Sequence, residues 1–552
     1  MPASDPASSR IAFPGRVLII GCGSVSRCLQ PLVLRHLDMD FRGLTVIDMA
    51  DMSAAVGEVV SAGGQFRQAE ITPASFDIDF LLEFVGDGDI LLNLAWNIDG
   101  GEIIEWCQQH GVMYLDTSVE EWDPYRAVAR PQERTLYHRH MLLRERAASW
   151  PANGPTAVVE HGANPGLVSH WVKRALIDIA SAILEGAGSV DLDGARRKRL
   201  SAALEGRDFA AMAMETGTKV IHVSERDTQI GSDPKHPGEF VNTWSVDGFH
   251  EEGVAPAELG WGTHEDWMPE GGFRHSGGPE NQIGITRPGI DTYVRSWVPT
   301  TGAIIGMVVR HGEAFTISEA LTVSDDTGNA IYRPTVHYAY LPTDAAMASL
   351  HECRMSGYEL QDAKRIMTDE IVDGMDELGV LLLGHDLNGW WVGSQLDIHA
   401  ARELVPHQNA TTLQVAASIL GAIFWMIENP FRGLCVPDEL DHERVLAIAD
   451  PYLGPCPSVQ TDWRPSPGDL DPLAEFRPPT NHTPWASPTS SCSSTSPPLA
   501  HRVRDAGVAG VGRTHRQVDG LPHRVTDRVH HNRQDHGDGA EDEEQPQHRN
   551  VG

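Results

Sequence analysis

The chain is 552 residues long, 41% hydrophobic and 22% charged. At roughly 100–200 residues per domain that length calls for two to four domains, and the composition excludes collagen-like, fibrous and wholly disordered classes. Asp and Glu number 77 against 43 Lys and Arg, a formal charge of −34, which argues against nucleic acid or an anionic membrane as partner, since both need a positive face, and suits a cationic small molecule.

The N-terminus, MPASDPASSR, lacks the basic-then-apolar pattern of a signal peptide. From Arg16 the sequence alternates short apolar runs with helix-like stretches: RVLIIG, CLQPLVLRHL, GLTVID, MSAAVGEVVSAG, DILLNLA, GEIIEWCQQHG, MYLDT. That alternation is the signature of βαβ units and predicts an α/β domain with a parallel, Rossmann-type sheet over 1–155. RVLIIGCGSVSRCLQPLV reads as strand, Gly-x-Gly turn and helix. In such a turn Gly21 allows the bend and Gly23 lets a pyrophosphate approach the helix N-terminus, which Ser24 and Val25 open, with Ser26 as the small third residue. Asp48 closes the second strand, where an acid binds both ribose hydroxyls and repels a 2′-phosphate, so NAD is expected rather than NADP. Later strand ends bring Asn93, Asn97, Asp116, Thr117 and Glu120 to the same crevice, with Asn93 and Thr117 assigned to the cofactor.

Beyond residue 155 the stretches VNTWSVDGF, PAELGWGTHEDW and GAIIGMVVRHGEAFTISEAL predict a second, α+β domain over 156–480 with a largely antiparallel sheet and sizeable loops. The apolar run Val415 to Ile427 is shorter than the ~20 residues of a membrane span and reads as a buried helix; the segment near 400–430 is a candidate to return to the first domain. Residues 481–552 carry SPTSSCSSTSPP and a His- and Arg-rich stretch without Lys, a low-complexity composition expected to be disordered that also resembles GC-rich sequence read in a shifted frame. The seven cysteines show no CxxC spacing, so neither a disulfide framework nor a metal site is predicted, and a reducing cytoplasm fits.

EHGANPGLVSHWV, IHVSERDTQ, VNTWSVDGFHEEG, PAELGWGT and RHGEAFTISEAL, in this order and together with GCGSVSR, NLAWN and DTSVEEW, make the chain resemble the saccharopine-dehydrogenase-like family and, more closely, the bacterial homospermidine synthases. The likeness runs from about Arg16 to about Trp463. It implies an NAD-dependent enzyme that joins two putrescines into homospermidine, or uses spermidine as aminobutyl donor, through oxidation of an amine to an imine, loss of ammonia or diaminopropane, Schiff-base formation and re-reduction. It also implies a homodimer. By the same resemblance Asn164 bonds near the nicotinamide and the reacting amine, and Glu225 and Glu120 are acid/base or ammonium-steering groups. Trp244 stacks on an ammonium, Glu252 holds the distal amine, and His311 with Glu313 completes the opposite wall, His311 as proton shuttle. Asn97 stands where the family tends to place an acid, with Asp99 two residues on.

The residues suit such a substrate. A diamine at neutral pH is a short dication, and its pocket needs carboxylates, apolar walls and an aromatic face; Glu225, Trp244 and Glu252 supply these. Two other readings stand beside this one: a saccharopine- or carboxyspermidine-type NAD(P)-dependent dehydrogenase, which needs a basic clamp for its carboxylate, and a non-enzymatic NAD-sensing protein, which lacks an acidic, Trp-containing pocket.

Overall fold

The structure, a computed structural model, describes residues 9–73, 78–122, 130–188 and 192–465; the low-complexity tail lies outside them. Seven strands form one sheet in the order Leu434–Cys435, Ala157–Val158, Met113–Asp116, Ile90–Asn93, Val17–Ile20, Leu44–Asp48, Gln65–Gln68, and every pairing in it is parallel. VLII, ILLN and MYLD are buried along their whole length, as strands covered by helices on both faces must be. The helices are cut to length by local chemistry. Gly100–His110 starts where the Asp99 carboxylate accepts the Glu102 amide and stops at Gly111, whose φ of 70° lies in the left-handed region.

The second sheet has ten strands, with Val220–Asp227 at its centre between Thr335–Leu341 and Met375–His385. Val220–Asp227 pairs in parallel with Thr335–Leu341 and antiparallel with Met375–His385, and the remaining pairs are antiparallel. The fold class expected from the sequence is therefore the one found. Helices are more prominent in this half than its irregular sequence suggested. Leu167–Leu184 is an 18-residue helix with Leu167 to Lys173 all buried, so its first two turns show no polar face from which the sequence could announce a helix.

Ala410–Glu428 is likewise longer than the apolar run within it: 19 residues, mean hydropathy 1.7, with 89% of its most apolar stretch buried. It is long and apolar enough to cross a bilayer, yet it packs in the core against the helix Ser24–His36. Asn409 caps it, accepting the Thr412 amide at 2.8 Å. Its N-terminal turn, the carboxyl ends of the parallel strands and the end of Val220–Asp227 converge on one cleft.

Candidate active site

The cofactor end of the cleft is built by the turn after Val17–Ile20. Gly21 has φ of +93°, and a Cβ there would stand 2.7 Å from the Leu94 carbonyl oxygen; only glycine fits. Gly23 is different: a Cβ on it meets no atom within 4 Å, so the space beside it is open at the start of the helix Ser24–His36. The first turn of that helix has no acidic residue and no side-chain cap, leaving the Ser24 and Val25 amides and the helix dipole for an anion. Ser26 is fully buried beneath the turn and accepts a bond from Gln30 Nε2 at 3.3 Å. Asp48 ends its strand with each carboxylate oxygen engaged once, by the Cys22 amide at 2.7 Å and the Ala50 amide at 2.8 Å, and each keeps a lone pair for a ribose hydroxyl. Asn93 and Thr117 line the adjoining wall; Asn93 Nδ2 donates to the Tyr114 hydroxyl at 3.2 Å.

The cleft continues between the two sheets with a cavity volume of about 160 Å³, smaller than the usual drug-sized site. Its floor is Glu225, two residues from the end of Val220–Asp227 and 2% exposed. One carboxylate oxygen of Glu225, Oε2, accepts both Asn164 Nδ2 at 2.8 Å and the Tyr338 hydroxyl. Burial pushes its carboxyl up to about 7, with Tyr338 and Asn164 holding it back and the Asp227 charge adding to the rise. Glu120 is also pushed up to about 7, by burial and then by Glu251, and its Oε2 is buried without a hydrogen-bond partner among the described residues.

On the opposite wall His311 stands between two carboxylates, Nε2 at 3.1 Å from Glu252 and Nδ1 at 3.2 Å from Glu313. Burial opposes its charge, but the two glutamates outweigh burial and hold the imidazole well above its ordinary 6.5. Trp244 is half-buried and lines the cleft, its Nε1 donating to the Tyr340 hydroxyl at 3.1 Å and its ring packed 5.4 Å from Phe249. Among the described residues that line this cleft there are three glutamates, Glu120, Glu225 and Glu252, and no arginine or lysine. No group of three or more His, Cys, Asp or Glu side chains among the described residues is arranged to hold a metal.

Residues 17–158 match the family described as saccharopine dehydrogenase NADP binding domain, and residues 162–457 match the saccharopine dehydrogenase C-terminal domain. The chain is 42% identical over 465 residues to a homospermidine synthase of Blastochloris viridis, covering 82% of this chain and 93% of that one. It is 40% identical over 457 residues to a homospermidine synthase of Mesorhizobium japonicum, covering 82% and 91%. The chain belongs to the homospermidine synthase family. The crystal structure of the homospermidine synthase from Legionella pneumophila in complex with NAD superposes with a TM-score of 0.75 at 36% identity, over 87% of this chain and 98% of that one.

Against this homospermidine synthase framework the sequence-predicted residues fall into three groups. Asn164, Glu225, Glu120, His311, Trp244 and Glu252 all line the one cleft, with Val25, Asn93 and Thr117 at its cofactor side. Gly21, Gly23 and Ser24 form the turn that leads into it, Asp48 holds that turn through the Cys22 amide, and Glu313 stands behind His311. Asn97 is not among the lining residues; it takes a left-handed φ of 63° just past the strand Ile90–Asn93, and its neighbour Trp96, 39% exposed, lines the cleft instead. Asp99 is spent as the helix cap. Tyr338 and Trp96 were not legible as site residues: Tyr338 reads as core in the strand TVHYAYL, and only the pairing of Tyr340 with Glu225 across adjacent strands brings it near the carboxylate.

Proposed function

We propose that the chain condenses two putrescines into homospermidine with release of ammonia, and takes spermidine in place of the first putrescine with release of diaminopropane. The observation that carries this is the cleft whose described lining has three glutamates and no arginine or lysine, next to a dinucleotide turn. A dication loses hydration on entering such a site, and carboxylates with an aromatic face replace it. A saccharopine-type substrate brings carboxylates of its own and needs an arginine or lysine clamp; the cleft presents the opposite charge.

The fit to NAD rests on the open space at Gly23, the uncapped first helical turn and the two engaged but unsaturated oxygens of Asp48. The matching family is described by NADP, but the Asp48 carboxylate at the end of the second strand disfavours a 2′-phosphate and favours NAD. Bound NAD supplies the hydride acceptance and return that this chemistry needs. The chain's own residues handle protons. Glu225, poised near neutrality, takes a proton from the substrate ammonium so that a neutral amine faces the cofactor, and Asn164 orients that amine. His311, held protonated by Glu252 and Glu313, gives a proton to the departing ammonia. Glu120 offers its Oε2, Trp244 a π face, and Glu252 the distal anchor to the substrate ammoniums.

The partners proposed are putrescine and other small polyamines, in a homodimer. Six free cysteines among the described residues, five of them buried, support a reducing cytoplasm. The deciding experiment incubates the protein with putrescine and NAD and measures homospermidine, ammonia and NADH. Homospermidine and ammonia in equal amounts, without net NADH, are expected. NADH accumulating in proportion to amine consumed indicates a dehydrogenase, and no turnover of any amine indicates a binding protein.

A further inference from the structure

Glu251 and Glu252 are neighbours on the helix Val246–Val254 and face different company. Glu252 reaches His311 in the cleft. Glu251, 4% exposed, points away from it and binds two arginines. Its Oε1 accepts Arg139 Nη2 at 2.8 Å, and its Oε2 accepts Arg310 Nη2. Both guanidinium groups are buried. Each also holds a backbone carbonyl: Arg139 Nη1 donates to Val119 at 2.9 Å, and Arg310 Nη1 to Arg134 at 2.7 Å. None of the three charged residues lines the cleft.

The arrangement has a regularity. Glu251 precedes Glu252, Arg310 precedes His311, and Val119, which Arg139 holds, precedes Glu120. One buried carboxylate thus ties together three segments from distant parts of the chain, and each segment carries a cleft residue at the next position. A buried ion triad is a poor device for stability alone, because desolvation offsets most of its Coulomb gain and an apolar replacement is often as stable. What it does well is fix relative position: one carboxylate bridges two guanidiniums, one on each oxygen, and each guanidinium is also tied to a backbone carbonyl, so no member slides without breaking a charge-assisted bond.

We infer that Glu251 is a positioning residue: by clamping Arg139 and Arg310 it sets Glu120, Glu252 and His311 at their stations around the substrate amines. The inference rests on the proposed function for the meaning of those stations, but not for the clamp itself. The triad also sets the charge around Glu120, whose carboxyl is raised by Glu251 and Glu252 and lowered by Arg139 and Arg310. Neutralising Glu251 removes a negative charge that raises both Glu120 and Glu252, and leaves Arg139 and Arg310 acting on Glu120 and Arg310 on Glu252, with Glu121 still paired to Arg139 at 3.4 Å and Glu258 near Arg310; both cleft carboxylates then ionise at lower pH.

The test uses full-length Glu251→Gln, Glu251→Asp and Arg139→Gln, with NAD affinity and unfolding as folding controls, putrescine kcat and KM across about pH 6 to about pH 9.5, and crystal structures. Glu251→Gln should lower kcat/KM for putrescine by roughly tenfold to a hundredfold, the range for a small misplacement of reacting groups. It should move the acid limb of the rate profile to lower pH at unchanged NAD affinity, and lose the 3.1 Å contact between Glu252 and His311. Glu251→Asp keeps the charge and should restore the acid limb while recovering kcat/KM in part. Arg139→Gln should move the acid limb to higher pH and leave the Glu252–His311 contact in place. Wild-type kcat/KM and pH profile in Glu251→Gln, with only stability lowered, overturn the inference. If that variant does not fold, an unmoved acid limb in Arg139→Gln overturns it. If the wild type makes no homospermidine, the proposed function fails, and the clamp is judged by the contact in whichever of Glu251→Gln and Glu251→Asp crystallises: its loss upholds the clamp and its persistence overturns it.

Discussion

Replacing Glu225 by glutamine should make the protein more stable at alkaline pH and worse at its chemistry. Both donors to this carboxylate, Asn164 Nδ2 and the Tyr338 hydroxyl, converge on the single oxygen Oε2, so an amide oxygen in the same place accepts both and the side chain keeps its pose. What the substitution removes is the charge. Folding raises this carboxyl from its ordinary 4.5 to about 7, so the stability it contributes is whole below 4.5 and is lost as pH rises through about 7. At about 1.36 kcal/mol per pH unit, the wild type above pH 7 carries a burden of about 3 kcal/mol as an upper figure. The amide is free of it. Urea unfolding without ligands should find the two proteins equal near pH 4.5, and Glu225→Gln more stable by about 1–3 kcal/mol near pH 8.5. Turnover of putrescine should fall by about tenfold to a hundredfold, the equivalent of a charged hydrogen bond of about 1.5–3 kcal/mol. A variant destabilised equally at both pH values, or one that turns over putrescine like wild type, refutes the assignment of this carboxylate.

Other expectations concern the rest of the cleft. Gly23→Val adds bulk where no protein atom lies within 4 Å, so the chain should fold and fail to bind NAD by calorimetry; Gly21→Ala, by contrast, collides with Leu94 and should lower the unfolding midpoint. Asp48→Ala should narrow the preference for NAD over NADP, and a wild type that prefers NADP contradicts the ribose assignment. Trp244→Ala should lower kcat/KM for putrescine about two- to thirtyfold, the range of a cation–π contact of about 0.5–2 kcal/mol, and Trp244→Phe by less; equal activity at normal NAD affinity places this tryptophan in the core.

The nucleotide-binding half was legible because its physics is local. Strands buried on both faces must be apolar throughout, so VLII, ILLN and MYLD announce themselves, and the Gly-x-Gly turn needs no distant partner. The substrate half depends on register and rotation. Glu251 and Glu252 are identical and adjacent in sequence, and only the roughly 100° turn per residue of a helix sends one to the arginines and the other to the cleft. The bond between Tyr338 and Glu225 spans 113 positions, and no spacing rule reaches that far. Asn97 was read as a wall residue because it follows a parallel strand, but its left-handed backbone turns the next residues along the edge and leaves Trp96 at the opening.

The helix Ala410–Glu428 has a consequence for how the molecule is made. It lies against Ser24–His36, the helix that opens the cofactor turn, and the first sheet takes its outermost strand from Leu434–Cys435. A ribosome therefore releases the dinucleotide half with one apolar flank bare and one sheet edge unpaired, and some three hundred further residues must emerge before either is covered. An N-terminal fragment ending just after Ala157–Val158, which keeps that strand of the sheet, should accordingly aggregate rather than fold.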